Sequence, residues 1–365
     1  MSEFMIEEVP RPTSLEGDAG AVFEGIMAVH NASEVAAYGI PEVATLAAEA
    51  LPEYVDPHED GRYFVARVSG GIVDGGIVGG GIVGYGHLRF LLDSPETAWH
   101  DVRVLPGFRG RGIGRALSAA VESASRELGQ TRLITYAVHP DAPGPQLTAP
   151  TGFGAIPAGN REVRFLLARG WTFEQVERAS RFALPGDPAR LAAARAGAGS
   201  HAGDYRIVSW AGLTPPEWRE GSALLNTRMS TDAPSGDLGE PEDVWDVDRL
   251  VTSEQLIEAS PQQFVVTAAV HRVTGAMAGI TRLVVPDETE RAVNQWATIV
   301  LSEHRGHRLG MLMKTANLEF LERVAPGHPS VLTWNAEENR PMLSVNEAVG
   351  FVRIGAEGAW KKALL

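Results

Sequence analysis

Cysteine is absent from the 365 residues. That excludes disulfides, thiolate nucleophiles, cysteine-ligated zinc and iron–sulfur clusters. A basic excess is also missing: 32 Lys plus Arg stand against 46 Asp plus Glu, a formal net charge of −14. Such a balance argues against nucleic acid or an anionic membrane as partner, since their phosphates call for clustered cations. It suits a cationic small molecule. No run of about 18 apolar residues occurs, so no membrane-spanning helix is expected. The opening from Met1 to Glu8 is acidic and lacks the basic and apolar regions of a secretory signal, so a cytoplasmic location is expected. There is no Gly-x-Ser-x-Gly elbow, Walker lysine loop or EF-hand spacing. What is present is an ordinary globular composition, 44% hydrophobic and 21% charged. At roughly 100–200 residues per domain it predicts about two domains.

The pattern along the chain repeats. In the first half, strand-like runs over 63–68, 82–90 and 98–104 precede a Gly/Arg turn and an amphipathic helix. That helix carries Ile113, Leu117, Ala120, Val121, Ala124 and Leu128 at helical spacing. In the second half, runs over 264–270, 278–285 and 295–301 precede another Arg-containing turn and a helix with Leu309, Met313, Ala316 and Phe320. Each helix leads to a further strand, at 133–138 or 331–334. The expectation is a tandem α/β protein with a mixed (α+β) sheet in each copy. Its domains would be 1–186 and 205–365, with the Pro-, Gly- and Ala-rich stretch 187–204 as a linker that holds a short helical turn in its Ala-rich part. A Gly-Gly-Ile-Val repeat from Gly70 reads as an extended hairpin insertion.

The strongest local signal is the turn after the third strand of the first half. Val102 and Val104 lead through Pro106 into Arg109, Gly110, Arg111, Gly112, Ile113 and Gly114, and a helix follows at once. A helix N-terminus presents unsatisfied N–H groups and roughly half a positive charge. Gly112 and Gly114 remove side chains, so a phosphate can approach the main chain. Arg109 and Arg111 add charge against a pyrophosphate. A bare glycine triplet usually means only a tight turn; the strand before and the helix after favour an anion cradle.

Arg109-x-x-Gly112-x-Gly114 behind such a strand resembles the acyl-CoA signature of the GNAT superfamily of N-acetyltransferases. The second copy offers a related run: Val300, Arg305, Gly306, His307, Arg308, Leu309 and Gly310. The pair resembles the tandem GNAT arrangement, of which mycothiol synthase is an example. The resemblance implies acetyl-CoA as co-substrate, its pyrophosphate on the turn amides and its pantetheine along the splayed strand. It implies cofactor contacts at 102, 104 and 109–114, and a second set at Val300, 305–310 and Asn339. The second copy departs from the pattern, because Arg308 stands where the first glycine belongs. The tyrosine that commonly protonates the departing thiolate is also missing: Asn346 holds that slot in the second half and Leu166 in the first.

Acetyl transfer to an amine needs a proton acceptor. On the first-half strand, alternation groups His100 with Ala98, Val102 and Val104, with Glu96 just before them. His100 is the leading base, since imidazole titrates near 6.5, and Glu96 is the reserve. The equivalent second-half face, Asn294, Trp296, Thr298 and Val300, offers no titrating group. His304 and His307 lack the carboxylates of a metal site, so no metal is expected. Asp243, Asp246 and Asp248 read as a solvated run that could draw in an amine. Met229 reads as part of a substrate-facing loop, and Trp296 and Trp334 as core. The sequence thus predicts an acetyl-CoA-dependent N-acetyltransferase acting on a primary amine of a small molecule. The rival is a non-catalytic acyl-CoA-binding sensor or partner-binding protein. Oligomeric state is left open.

Overall fold

The computed structural model describes residues 4–68 and 81–364. The Gly-Gly-Ile-Val repeat lies outside the described residues up to position 80. The chain divides into two compact units. Residues 1–150, 155–175 and 357–365 form the first; 151–154 and 176–356 form the second.

The first unit runs β1 (Phe4–Val9), α1 (Gly17–Tyr38), α2 (Ala47–Val55), β2 (Glu59–Val68), β3 (Ile82–Leu91), β4 (Thr97–Val104), α3 (Ile113–Glu127) and β5 (Arg132–His139). A small hairpin of β6 (Gln146–Thr148) and β7 (Ala155–Pro157), helix α4 (Arg161–Ala168) and the start of β8 (Thr172–Ala183) follow. The strands order as β1-β2-β3-β4-β5. All neighbours are antiparallel except β4 and β5, which are parallel. The α3 spacing behaves as expected: Ile113, Leu117, Val121 and Ala124 are buried, and each fully buried Leu or Val contributes about 1.5–3 kcal/mol. Leu128 falls outside this stripe, exposed at the helix C-cap. Glycine at position 84 lets α3 lie close on β3, because a Cβ there would stand 3.1 Å from Leu117 and 2.9 Å from the Arg103 carbonyl.

The second unit takes β8 from Val176, then α5 (Pro188–Gly199), β9 (Tyr205–Ala211), α6 (Arg219–Asp232), α7 (Val247–Glu258), β10 (Gln262–His271), β11 (Met277–Pro286), β12 (Val293–Val300), α8 (Leu309–Val324), β13 (Ser330–Ala336) and α9 (Arg340–Val349). The last strand, β14 (Val352–Ala363), begins here, and its residues from Glu357 belong to the first unit. The order β9-β10-β11-β12-β13-β8 again has one parallel step, β12 to β13. Gly279 repeats the role of Gly84, with a Cβ there 2.9 Å from Met313 of α8.

The expected linker is a correction. Residues 188–199 form α5, whose Asp187 cap accepts from the N–H groups of Ala189 and Arg190. Alanine has the best helix propensity, and Pro is preorganised at the first helical position. Leu191 and Ala198 are buried, and Arg195 pairs with Glu319 of α8. The helix is therefore part of the second core.

Candidate functional site

In the first unit, β4 and β5 pair only at Thr97↔Arg132, Ala98↔Leu133 and Trp99↔Ile134. Beyond Trp99 the strands part, while β4 stays paired with β3 as far as Val104. The opening is a cavity of about 450 Å³. It is bordered by β4 from His100 to Val104, by Tyr136 of β5, by Phe165 and Leu166 of α4, and by Arg109, Gly110, Gly112 and Gly114. The turn closes one end. Gly110 and Gly112 have φ of 82° and 87°, where L-residues are strained. Gly112 is the N-cap of α3, and a Cβ there would meet nothing within 4 Å. The helix thus presents its free N–H groups to open space, the geometry of an anion site.

The arginines divide in function. Arg109 borders the cavity, but its Nε donates to the Val104 carbonyl at 3.0 Å, so it also clamps strand to turn. Arg111 turns back, donating to the Gly107 carbonyl and lying over Phe108 at 4.9 Å. Neither it nor Ile113 is among the residues bordering the cavity.

His100 borders the cavity from the α3 side of the sheet. Its Nε2 lies 3.4 Å from Ser118 Oγ, Trp171 packs 5.0 Å from its ring, and its Nδ1 is buried without a hydrogen-bond partner. Burial pushes the imidazole down to about 4, so it is neutral at physiological pH. Glu96 stands apart, exposed in the turn before β4, where its carbonyl accepts from Thr131 and Arg132.

The other face of β4 carries a network that the alternation argument passed over. Asp101 accepts from Tyr85 Oη at 2.6 Å and from Arg103 Nε at 3.1 Å. Arg103 also pairs with Glu34 of α1, and Tyr85 Oη lies 3.0 Å from His30 Nδ1. Burial alone would raise the Asp101 carboxyl, but Arg103, His87, His30 and the Tyr85 hydroxyl hold it well below the usual carboxylate range. His87, stacked on Tyr85, is pushed down to about 3 by burial. Asp101 and Arg103 both border the cavity. Their adjacent opposite charges on a strand were the available signal, and the partner residues on α1 were not readable. Tyr136 of β5 brings to the cavity a phenol that the helix slot held by Leu166 does not supply.

The second unit repeats the arrangement. β12 and β13 pair only at Val293↔Val331 and Asn294↔Leu332. The parting holds a cavity of about 670 Å³ bordered by Val300, Arg305, Gly306, Arg308, Leu309, Gly310 and Asn339, among others. Arg305 Nε donates to the Val300 carbonyl at 3.1 Å, as Arg109 does to Val104. Gly306 has φ 88° and Arg308 φ 54°. His307 matches Arg111 in place and in turning away, packing its ring 5.3 Å from Tyr205.

Several expectations change here. A register shift beside β12 sets Trp296 outside the pairing, and its ring is 48% exposed at the cavity, stacked on Phe264 at 5.2 Å. Trp334 also borders that cavity and is only half-buried. The core expectation rests on aromatic character alone; alternation groups Trp296 with Asn294, Thr298 and Val300, and the bulge leaves it at the cavity. Met229 lies within α6 rather than a loop, and it does border the second cavity. Asp246 caps α7, accepting from Arg249 N at 2.8 Å, and Asp243 pairs with the Arg249 side chain. Asp243 and Asp246 are thus committed to local structure, while Asp248 is exposed in the first turn of α7. His304 bonds Tyr205, and no group of three or more metal-ligating side chains occurs among the described residues. Among them, no helix is long and apolar enough to cross a membrane.

Comparison with known proteins agrees with this geometry. Residues 33–144 match the model of the acetyltransferase (GNAT) family. The whole chain is similar to a tandem GNAT protein from the clavulanic acid biosynthesis pathway, with 26% identity and a TM-score of 0.68 over 98% of each chain. A GCN5-related N-acetyltransferase from Sphaerobacter thermophilus shares the fold at 13% identity, with a TM-score of 0.59 over 99% of this chain and 96% of that one. So does a GCN5-related glucosamine N-acetyltransferase region of a fungal multi-domain beta-N-acetylglucosaminidase, at 15% identity and a TM-score of 0.55, over 98% of this chain and 38% of that one. No curated protein matches the sequence.

Proposed function

From a chain that carries an acetyltransferase (GNAT) family domain over residues 33–144 and folds along its length as a tandem GNAT protein, we propose an N-acetyltransferase. It moves the acetyl group of acetyl-CoA directly to a primary amine of a small molecule, and it does so in the cytoplasm. One observation carries the reading: the first unit joins a strand parting of about 450 Å³ to an open helix N-terminus at the 109–114 turn. The turn amides take the pyrophosphate. The β4 main chain, released by β5 beyond Trp99, pairs with the pantetheine arm and polarises the thioester carbonyl.

The amine attacks the carbonyl carbon, and the nitrogen becomes cationic and far more acidic. His100 Nδ1, unpartnered and neutral, is the acceptor we assign to that proton. Its lowered pKa makes it a poor base toward the free ammonium ion but a competent one toward this adduct. Glu96 is outside the cavity, and we give it no role. The Asp101, Arg103 and Glu34 network lies on the opposite face of β4 from His100, and we give it no part in the proton transfer.

Calorimetry with acetyl-CoA tests the site. Gly112→Glu sets a side chain and a negative charge where phosphate and helix end meet, and should abolish binding to the first unit in a folded protein. Unchanged affinity would remove the site. A panel of primary amines, scored by release of the CoA thiol, then tests the reaction. Tight binding without turnover would make the protein an acyl-CoA sensor instead.

A further inference from the structure

The second cavity contains a feature with no counterpart in the first. Lys314, on the second turn of α8, borders the cavity and is 1% exposed. Its Nζ donates to Asn346 Oδ1 of α9 at 2.6 Å, and Asn346 Nδ2 donates to Asn335 Oδ1 of β13 at 2.7 Å. Asn335 lies on the strand that parts from β12, and it too borders the cavity. The Phe351 ring lies 5.1 Å from the ammonium group. No carboxylate pairs with it among the described residues, although an unpaired buried ammonium is costly. The matching position of α3 is Ser118, which accepts from Arg169 and donates to Glu122.

We propose that the second cavity is an independent acyl-thioester site in which Lys314 protonates the departing thiolate. The inference rests on the reading that the chain uses acyl-CoA. In the step, the acceptor nitrogen bonds to the acyl carbon and the carbon–sulfur bond breaks. The electron pair leaves on sulfur, and the Lys314 ammonium transfers a proton to it, giving the free thiol. The acceptor nitrogen's proton returns to Lys314 through solvent, so the cycle closes without another reactant. Asn346 positions the amine by accepting one of its protons and leaves two for transfer.

The charge state fits the task. Burial lowers the Lys314 ammonium to about 7, below a thiol's ordinary value of about 8.5, so transfer to the thiolate is downhill. Asn346, which accepts from the ammonium, Phe351, whose ring lies against it, and Asn335, which accepts from Asn346, do not titrate. The charged or titratable groups bordering the cavity are Glu177, Asp232, His304, Arg305, Arg308 and Glu338. Asp232 is paired with Arg305 and His304 with Tyr205.

The test uses the full chain with Gly112→Glu, so that the first unit is silent, and hydroxylamine as acceptor with acetyl-CoA. CoA thiol release should fall along a single-proton limb centred near pH 7 as pH rises. Lys314→Met should lower it about 100-fold and abolish that limb, with acetyl-CoA affinity unchanged by calorimetry. Lys314→Arg should fare no better, because guanidinium does not give up its proton. With p-nitrophenyl acetate, whose leaving group needs no proton, Lys314→Met should match its parent. Equal rates of the two with acetyl-CoA would overturn the proposal. So would equal losses with both donors, or the appearance of one acetyl group on Lys314. If Gly112→Glu alone removes all acetyl-CoA binding, the second site is refuted while the first stands. If the unsubstituted chain binds none, the acyl-CoA reading itself fails.

Discussion

The two turns differ at one backbone position, and that difference has a measurable energy. Gly112 and Arg308 each cap the helix after the turn, at φ 87° and φ 54°. Arg308 is the one non-glycine residue with positive φ among those described. An L-residue in this region is disfavoured by about 1–2 kcal/mol, and a glycine recovers that strain while losing about 0.4–1 kcal/mol through a freer unfolded chain. Arg308→Gly should therefore stabilise the second unit by about 0.5–1 kcal/mol. At about 2–4 °C per kcal/mol for a unit of this size, Tm should rise by roughly 1–4 °C. Gly112→Ala is the mirror experiment. Its Cβ meets nothing within 4 Å, so the loss of about 1 kcal/mol is conformational only. Calorimetric unfolding of the full chain, with each transition assigned by its variant, reads both. Acetyl-CoA binding separates strain from function, since Arg308 borders the cavity. Loss of one charge-assisted bond to phosphate, about 1.5 kcal/mol, corresponds to roughly tenfold weaker binding. The reasoning fails if Arg308→Gly lowers Tm, or if Gly112→Ala costs more than about 3 kcal/mol, which would reveal a contact that the open turn does not contain.

Other outcomes follow from burial. His100, His87 and His139 are held neutral in the first unit, at about 4, 3 and 4. Unfolding frees them to bind protons below about 6.5, so the unfolded chain holds more protons there and stability falls as pH drops from about 6.5 to 4. Denaturant melts should show this loss, on the order of 3 kcal/mol per histidine, and His100→Gln should remove one such share. If His100 is the proton acceptor, the acid limb of kcat lies near pH 4 rather than 6.5; a limb at 6.5 would exclude it. Glu254 is buried beside Arg282 and accepts from Thr214 N and Oγ1. Glu254→Ala should cost about 3–5 kcal/mol by stranding the guanidinium, and a urea midpoint within error of the parent would refute this. Asp246→Ala should cost about 1 kcal/mol through the lost α7 cap and leave the salt dependence of turnover unchanged. A change in that dependence would restore the acidic run as a steering element.

Much of the architecture was legible because it depends on local chemistry. Apolar runs and helical periodicity located β2 to β5, α3, β10 to β13 and α8: α3 buries a single stripe, while β3 and β11 are buried on both faces and read as continuous apolar runs. The 109–114 turn was legible because glycines in a strand-to-helix turn have a backbone reason to be there. The Arg109 and Arg305 turns could be matched because the copies share spacing. The alanine-rich segment was legible only as a linker with a helical turn, because low complexity describes a helix and a linker equally well; the structure extends the turn to a helix over Pro188–Gly199. Its burial on α8 decided between them.

The sequence by itself therefore determined the paired modules, the glycine-lined turn before α3 and the absence of cysteine. Each of these is a property of residue type and spacing along the chain. Tertiary structure alone decided where β4 parts from β5, that Asp101 meets Tyr85 of β3 and that Arg103 meets Glu34 of α1. It also decided that a register shift leaves Trp296 outside the pairing and that Lys314 is buried with its ammonium donating to Asn346. Burial and pairing are set by which distant segments pack together. A lysine or a histidine in the sequence has its ordinary pKa until those neighbours remove the water.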